Sequence, residues 1–532
     1  MEQGDTFDYV IVGAGSAGAV LANRLSADGK TTVALLEAGG PDRYPWIHIP
    51  VGYLYCIGNP VTDWGFKTRV EPGLGDRSIL YPRGRTLGGS SSINGMIYMR
   101  GQAADYDGWR QEGLTGWGWE DVLPLFKRAE DHVDGPSDMH GAGGEWRVER
   151  PRISWEILDK FALAAQAVGI PATRDFNTGT NEGVGYFQVN QRAGWRWNTS
   201  KAFLRPARDR ANLRVISHAP TRRLLFDGQR ACGVVFFRDG AEHCVRARAE
   251  VILSAGAIGS PHILQHSGLG PAEVLQAQGI SVRRDMQGVG RNLQDHLQIR
   301  CAFKVRGVPT LNQQAGSRLG KARIAWEYAI HRRGPMSMAP SQLGAFARSR
   351  KDVATPDLQY HVQPLSLQAF GGALDPFPAF TASVCNLRPE SRGHVHVVSP
   401  RPEAAPEIAP NYLATEGDRL TAANAIRLTR KIVSQAPLEA YAPQEFRPGP
   451  EVEGDGPLAE AAGQIGTTIF HPVGTVRMGS DPGAPLDGQL RLRGVEGLRV
   501  VDASAMPRIT SGNTAAPTMM IAERAADLIK GA

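Results

Sequence analysis

Residues 7–37 constrain the fold of this chain more than any other stretch. Phe7-Asp8-Tyr9-Val10-Ile11-Val12 is a β-branched and aromatic run that reads as a buried strand. It leads directly into Gly13-Ala14-Gly15-Ser16-Ala17-Gly18, a G-x-G-x-x-G turn. Ala19 to Leu25 then has helical spacing. Thr32-Val33-Ala34-Leu35-Leu36 reads as a second strand, ending at Glu37, 19 positions after Gly18. Strand, helix, strand and acid together form a βαβ unit and predict an α/β chain with a parallel, Rossmann-like sheet.

Each part of the unit has a physical role. Gly13 permits the tight turn, Gly15 lets backbone approach a pyrophosphate, and Gly18 lets helix pack on strand. The helix N-terminus offers free N–H groups and a positive dipole end to phosphates. Glu37 is placed to accept hydrogen bonds from the hydroxyls of an adenosine ribose and to repel a 2′-phosphate, which counts against NADP. The unit itself does not separate NAD from FAD. Its position at the start of the chain, with no second such turn, favours FAD.

At 532 residues the chain has room for two or three domains of about 100–200 residues each. Arg83-Gly84-Arg85-Thr86-Leu87-Gly88-Gly89-Ser90-Ser91-Ser92-Ile93-Asn94-Gly95-Met96 abuts the apolar Ile97-Tyr98-Met99. That context suggests a buried, ligand-facing loop and not a flexible linker. Val251 to Leu264 reads as a strand, a small-residue turn through Ala255, and a helix starting at Ser260-Pro261 as N-cap and N1. Leu213–Ile216 and Ala231–Phe237 read as further strands.

From 300 to 460 the pattern changes. Runs such as Asp357–Val362 and Gly393–Val398 alternate with period two, which predicts an antiparallel sheet in a second domain. His394 and His396 share a strand face, but no third ligand has suitable spacing, so a metal site is disfavoured. The C-terminal part returns to α/β, with a strand at 498–504, a loop Ser511-Gly512-Asn513-Thr514 and a helix over 515–529.

Charge excludes one class of function. Fifty-nine basic against 53 acidic residues give a net charge of +6 without any like-charge block, so no nucleic-acid footprint is present. The five cysteines are scattered and odd in number, which fits a reducing compartment such as the cytoplasm. No run of about 18 apolar residues suggests an integral membrane segment, and residues 1–12 do not read as a signal peptide. Oligomeric state is not legible.

In order along the chain, the βαβ unit, the Gly88–Asn94 loop, Ser260-Pro261 through Gly270, and the closing pair His471-Pro472…Gly479 and Asp502-Ala503-Ser504…Asn513 resemble the glucose–methanol–choline (GMC) oxidoreductase family. The likeness runs end to end and is nearest to its choline-dehydrogenase-like and alcohol dehydrogenase or oxidase branches. It implies a discontinuous FAD domain (1–150, 191–300 and 461–532) and a substrate domain built on an antiparallel sheet (151–190 and 301–460).

The resemblance also implies roles. His471 matches the active-site base and Asn513 its partner, with a plain N-cap as the competing reading of Asn513. His296 matches a family segment and reads as structural support. The implied cofactor contacts are Gly13, Ala14, Gly15, Ser16, Gly18, Glu37, Ala38, Leu87, Gly89, Ser90, Asn94, Gly95, Met96, Thr221, Ala255, Asp502, Ala503, Asn513 and Thr514. Ile93 stands where members with covalent flavin carry histidine, so FAD is expected to be non-covalent. The implied reaction oxidises a primary alcohol to the aldehyde, with oxygen or another electron acceptor as second substrate. An FAD-containing hydroxynitrile lyase of the same fold is the alternative.

Overall fold

The structure is a computed structural model that describes residues 5–368 and 371–531. Its first sheet grows from the βαβ unit: β1 (Thr6–Val12), α1 (Ser16–Leu25) and β2 (Val33–Leu36) are followed later in the chain by β3 (Leu213–Ile216), β4 (Thr221–Asp227), β5 (Arg230–Arg238) and β6 (Ala241–Leu253). The strand order is β3-β2-β1-β6-β5-β4, and the strand Leu498–Val500 also pairs with β6. Neighbours from β3 through β6, and the 498–500 strand, are parallel, whereas β4 and β5 form antiparallel ladders. Val10, Ile11, Ala34 and Leu35 are fully buried, as strands covered on both faces require.

Two glycines make the turn possible. Gly13 has φ +101°, and a Cβ there would lie 2.5 Å from the Ser254 carbonyl oxygen. At Gly18 a Cβ would lie 1.9 Å from the Gly13 oxygen, so α1 can close on β1 only through a bare Cα.

The helix after β6 departs from the sequence reading. Helix α2 spans Gly256–His266 and carries Pro261 in its interior, so Ser260 is not its N-cap. Three interactions explain the earlier start. The Asp502 carboxylate accepts from Gly256 N–H at 2.8 Å and from Ser260 Oγ at 2.5 Å, while Ser260 Oγ accepts from Ala255 N–H at 3.1 Å. Proline cannot donate to the carbonyl four residues back, that of Ala257. Thr475 Oγ1 donates to that oxygen instead, at 2.6 Å.

The second sheet is antiparallel. Its main strands are β7 (Leu297–Lys304), β8 (Leu343–Ala347), β9 (Leu358–Gln363) and β10 (Ala379–Asn386). The order is 444–447, β7, β10, β9, β8, 183–186, and the strand Gly466–Thr468 pairs with β7. The strand Gly393–His396 lies outside it, in a three-stranded sheet, where the His394 and His396 rings stack and His394 Nε2 meets Glu407 at 2.8 Å.

One face of the large sheet presents Ile299, Cys301, Tyr360, Val362, Phe380 and Ala382. It packs against the helices Glu156–Ala167 and Glu416–Val433. The alternate positions, Gln298, Arg300, Gln359, His361, Thr381 and Ser383, are polar and also buried. All five cysteines are free. No helix among the described residues is long and apolar enough to cross a membrane.

Candidate functional site

A cavity of about 1010 Å³ runs from the glycine turn of the first sheet to the polar face of the second. At one end Gly15 and Gly89 face each other. A Cβ on Gly15 would meet only the Gly89 Cα, at 3.8 Å, which leaves open the face that a pyrophosphate would approach. Glu37 is buried nearby. Its Oε2 accepts from Ala14 N–H at 3.0 Å and its Oε1 from Gly39 N–H at 2.8 Å. Burial, partly offset by these bonds, pushes its carboxyl up to about 7. One acceptor position on each oxygen remains for a ribose.

Gly13, Gly15, Ser16, Glu37, Ala38, Gly89, Ser90, Asn94, Gly95, Met96, Thr221, Ala255, Asp502, Ala503, Asn513 and Thr514 all line this cavity. Ala14, Gly18 and Leu87 stand behind the wall. Ala14 anchors Glu37, Gly18 packs helix on strand, and Leu87 rests against the hydrophobic core. Asp502 contributes shape more than free acceptors, because Gly256, Ser260 and both the N–H and Oγ of Ser504 already occupy its carboxylate. Asn94 Oδ1 accepts from Met96 N–H and from Arg196 Nη1, holding a loop in which Met96 has φ +60°. Thr221 Oγ1 is buried without a hydrogen-bond partner.

The other end of the cavity gathers imidazoles. His471 follows Phe470, whose φ of +71° turns the chain just after the 466–468 strand. His296 precedes β7. Asp295 fastens the two together: its Oδ1 accepts from His296 N–H at 2.9 Å and from His471 N–H at 2.8 Å. Its Oδ2 accepts from Tyr81, Tyr412 and Thr468 hydroxyls. The carboxylate thus grips backbone and leaves the rings to each other.

The ring bonds determine the tautomers. His296 Nε2 lies 3.1 Å from the Leu387 carbonyl, which can only accept, so Nε2 carries the hydrogen. Burial holds His296 down at about 4, so near neutrality its Nδ1 is an acceptor. His471 Nδ1, 3.1 Å away, must therefore donate. The Nε2 of His471 is left as a bare lone pair, to which Asn513 Nδ2 donates at 3.0 Å. Burial foremost, then the neighbouring His296, His361 and Arg83, keeps the His471 ring well below the usual histidine range. Gln359 Nε2 donates to Asn513 Oδ1 at 3.3 Å and so orients the amide. Asn513 does not cap the final helix, Ala515–Lys530, whose N-cap is Thr514.

Sequence reasoning missed Gln359, His361, Gln363, Gln298 and Arg300. The signal was present as polar residues at alternate positions of two strands. That pattern ordinarily marks a solvent face.

The geometry defines an α/β protein with a Rossmann-like glycine turn at one end of a large cavity and the hydrogen-bonded His471–Asn513 pair at the other. Comparison with known proteins narrows the class. GMC oxidoreductase family models match residues 7–298 and 389–522. The chain is 40% identical over 530 residues to an oxygen-dependent choline dehydrogenase of Photobacterium profundum, covering 99% of this chain and 93% of that protein. It is also 40% identical over 529 residues to an alcohol dehydrogenase [acceptor] of Pseudomonas putida, covering 98% and 95%. Among solved structures, pyridoxine 4-oxidase from Mesorbium loti superposes with a TM-score of 0.89 at 31% identity, covering 98% of both chains.

The chain belongs to the GMC oxidoreductase family, FAD-dependent enzymes acting on the CH–OH group of donors. The residues present fit FAD: the open Gly15–Gly89 cradle, the Glu37 carboxylate and the orphaned Thr221 hydroxyl lie along one wall.

Proposed function

We propose that this protein oxidises a primary alcohol to the aldehyde, with FAD held non-covalently and His471 as the proton acceptor. In this reading residues 1–150, 191–300 and 461–532 hold the cofactor and residues 151–190 and 301–460 shape the substrate side. One observation carries it: the chain Leu387–His296–His471–Asn513 leaves His471 Nε2 unprotonated and facing the cavity.

Bound flavin supplies the two-electron acceptor, at N5, for the hydride that leaves the carbinol carbon. The protein's part is the proton and the geometry. A substrate hydroxyl takes the place of the Asn513 contact at His471 Nε2 and gives that atom its proton. Asn513 Nδ2 then donates to the substrate oxygen and fixes its orientation. Asn513 cannot titrate, so His471 alone carries the proton. Ile93, buried at the cavity wall, has no atom able to form a flavin linkage, which supports the non-covalent reading.

The test is anaerobic mixing of the holoenzyme with a primary alcohol. The expected result is bleaching of the flavin with one aldehyde formed per flavin, and release of yellow cofactor on acid precipitation. Aldehyde and cyanide released from a cyanohydrin without bleaching would replace this reading with the lyase alternative. Reoxidation by oxygen and by an artificial acceptor, measured side by side, identifies the electron acceptor.

A further inference from the structure

Around Arg300 the cavity is lined by cations, Arg300 itself and Lys321, and by no carboxylate among the described residues. Three carboxylates line the cavity, Glu37, Glu403 and Asp502, and Glu403, although it falls within 301–460, lies with the other two at the dinucleotide end, through its ion pair with Arg222. Glu37 holds the glycine turn, Asp502 caps α2, and Glu403 is ion-paired with Arg222, beside Thr221. On the polar face of the second sheet stands Arg300, only 7% exposed. Its Nε is buried without a hydrogen-bond partner, and among the described residues its guanidinium forms no ion pair with a carboxylate. The acid that acts on it electrostatically, Asp375, accepts instead from Ser366 Oγ at 2.7 Å.

Asp375 offsets part of the charge from a distance, but a buried guanidinium with no carboxylate bonded to it leaves its donors unsatisfied, which is costly unless something completes them. Burial lowers Arg300 to about 10, which still leaves it charged at neutral pH. Its position relates it to the His471–Asn513 pair. Arg300 is in register with Ser383, and Ser383 with His361, so Arg300 and His361 flank one residue on the same face. Two inter-strand spacings put about 10 Å between their backbones. His361 is among the groups that press on His471. Between them the wall is mixed, with Gln298 and Gln363 supplying amides and Met338, Leu365 and Leu367 supplying apolar surface.

We infer that the substrate is an alcohol bearing a carboxylate, with the carbinol at His471 and the carboxylate paired with Arg300. The inference rests on the alcohol-oxidation reading above and names its substrate class. A guanidinium matches a carboxylate bidentately, and the glutamine amides can donate to oxygens that Arg300 leaves free. A quaternary ammonium alcohol such as choline meets the opposite of what it needs at this end: a fixed cation and no carboxylate.

Two measurements on the holoenzyme test the inference. The first uses hexanoate, which binds but has no hydroxyl to oxidise, in isothermal titration beside hexylammonium. Hexanoate is expected to bind and hexylammonium not to, with Arg300→Gln weakening hexanoate at least ~10-fold and Arg300→Lys weakening it less. The second compares anaerobic flavin reduction by 6-hydroxyhexanoate, 1-hexanol and choline. The hydroxy acid is expected to exceed hexanol at least ~10-fold in kcat/KM, mainly through KM, and Arg300→Gln to collapse that ratio towards one. Equal hexanoate binding by wild type and both variants, or choline outperforming the hydroxy acid, overturns the carboxylate assignment. If no alcohol bleaches the flavin, the oxidation reading fails, while the hexanoate titration still decides the role of Arg300.

Discussion

Two buried histidine clusters in this molecule have opposite charge states. In the cavity, His296, His361 and His471 have no carboxylate at their rings. Burial lowers His296 to about 4 and His361 to about 3, and holds His471 well below its ordinary value. In the segment between the strands Glu130–His132 and Trp146–Val148, His140 sits between Asp175, 2.7 Å from Nε2, and Glu130, 3.1 Å from Nδ1. Burial alone lowers His140 as well, but those two hydrogen bonds outweigh it and raise the ring to about 9. His132, stacked on His140 at 3.9 Å, is lowered by burial and by its cationic neighbour. The difference lies in what the nearest carboxylate touches. Asp295 is buried like Glu130, yet it bonds the backbone of His296 and His471 and leaves their rings neutral, the state that the base role proposed for His471 requires.

The largest expected effect comes from removing the ring proposed as the base. His471→Ala should retain fold and FAD and slow anaerobic flavin reduction by at least ~10²-fold, in kcat as well as kcat/KM, measured by stopped flow. Reduction at the wild-type rate would end the assignment of the base. In the other cluster, Glu130→Gln should cost roughly 3–5 kcal/mol of stability, because Arg100 and Glu130 form a fully buried pair at 2.8 Å. Denaturant unfolding reads this loss, and it should come without the kinetic signature of the His471 variant.

A smaller effect tests the tautomer argument. His296→Leu removes the acceptor for His471 Nδ1–H and should lower kcat about 10-fold while shifting its pH profile. A merely structural role would lower stability and leave the profile of the remaining enzyme in place. The smallest effect is on the dependence of Tm on pH. His296, lowered in the fold, contributes stability above its unfolded value of about 6.5 that is lost as pH falls towards about 4. His140, raised in the fold, contributes stability below about 6.5 that is lost as pH rises through about 9. His296→Gln should therefore flatten the acid limb of a Tm–pH curve, and His140→Gln the alkaline limb. A variant that moved the opposite limb would break the contrast.

The two sheets also differed in how readable they were. The parallel core of the first, mixed sheet announced itself through local rules: a continuous apolar strand, a glycine turn that tolerates φ +101° and a helix that only Gly18 can admit. The antiparallel sheet was legible as alternating strands, but its polar face looked like a surface. Gln359, His361 and Gln363 alternate with Leu358, Tyr360 and Val362 as an exposed strand would, yet all six are buried or nearly so. The start of the helix after β6 was misplaced by five residues, Ser260 for the observed N-cap Ala255, because its cap comes from Asp502, 246 positions from Gly256. Similarly, the carbonyl freed by Pro261 is satisfied from Thr475, 218 positions from Ala257. Caps supplied from so far away leave no local signal.

Local chemistry by itself therefore determined the dinucleotide turn, the acid at position 37 and the candidacy of His471 and Asn513, because turns, strand ends and short motifs are decided by neighbours in the chain. The hydrogen-bond pattern that leaves His471 Nε2 unprotonated was decided only in three dimensions. It depends on the Leu387 carbonyl fixing His296, on His296 fixing His471, and on Asp295 binding backbone in place of rings. Those partners are 91, 175, 1 and 176 residues apart in sequence, and hydrogen-bond direction follows from which atoms meet.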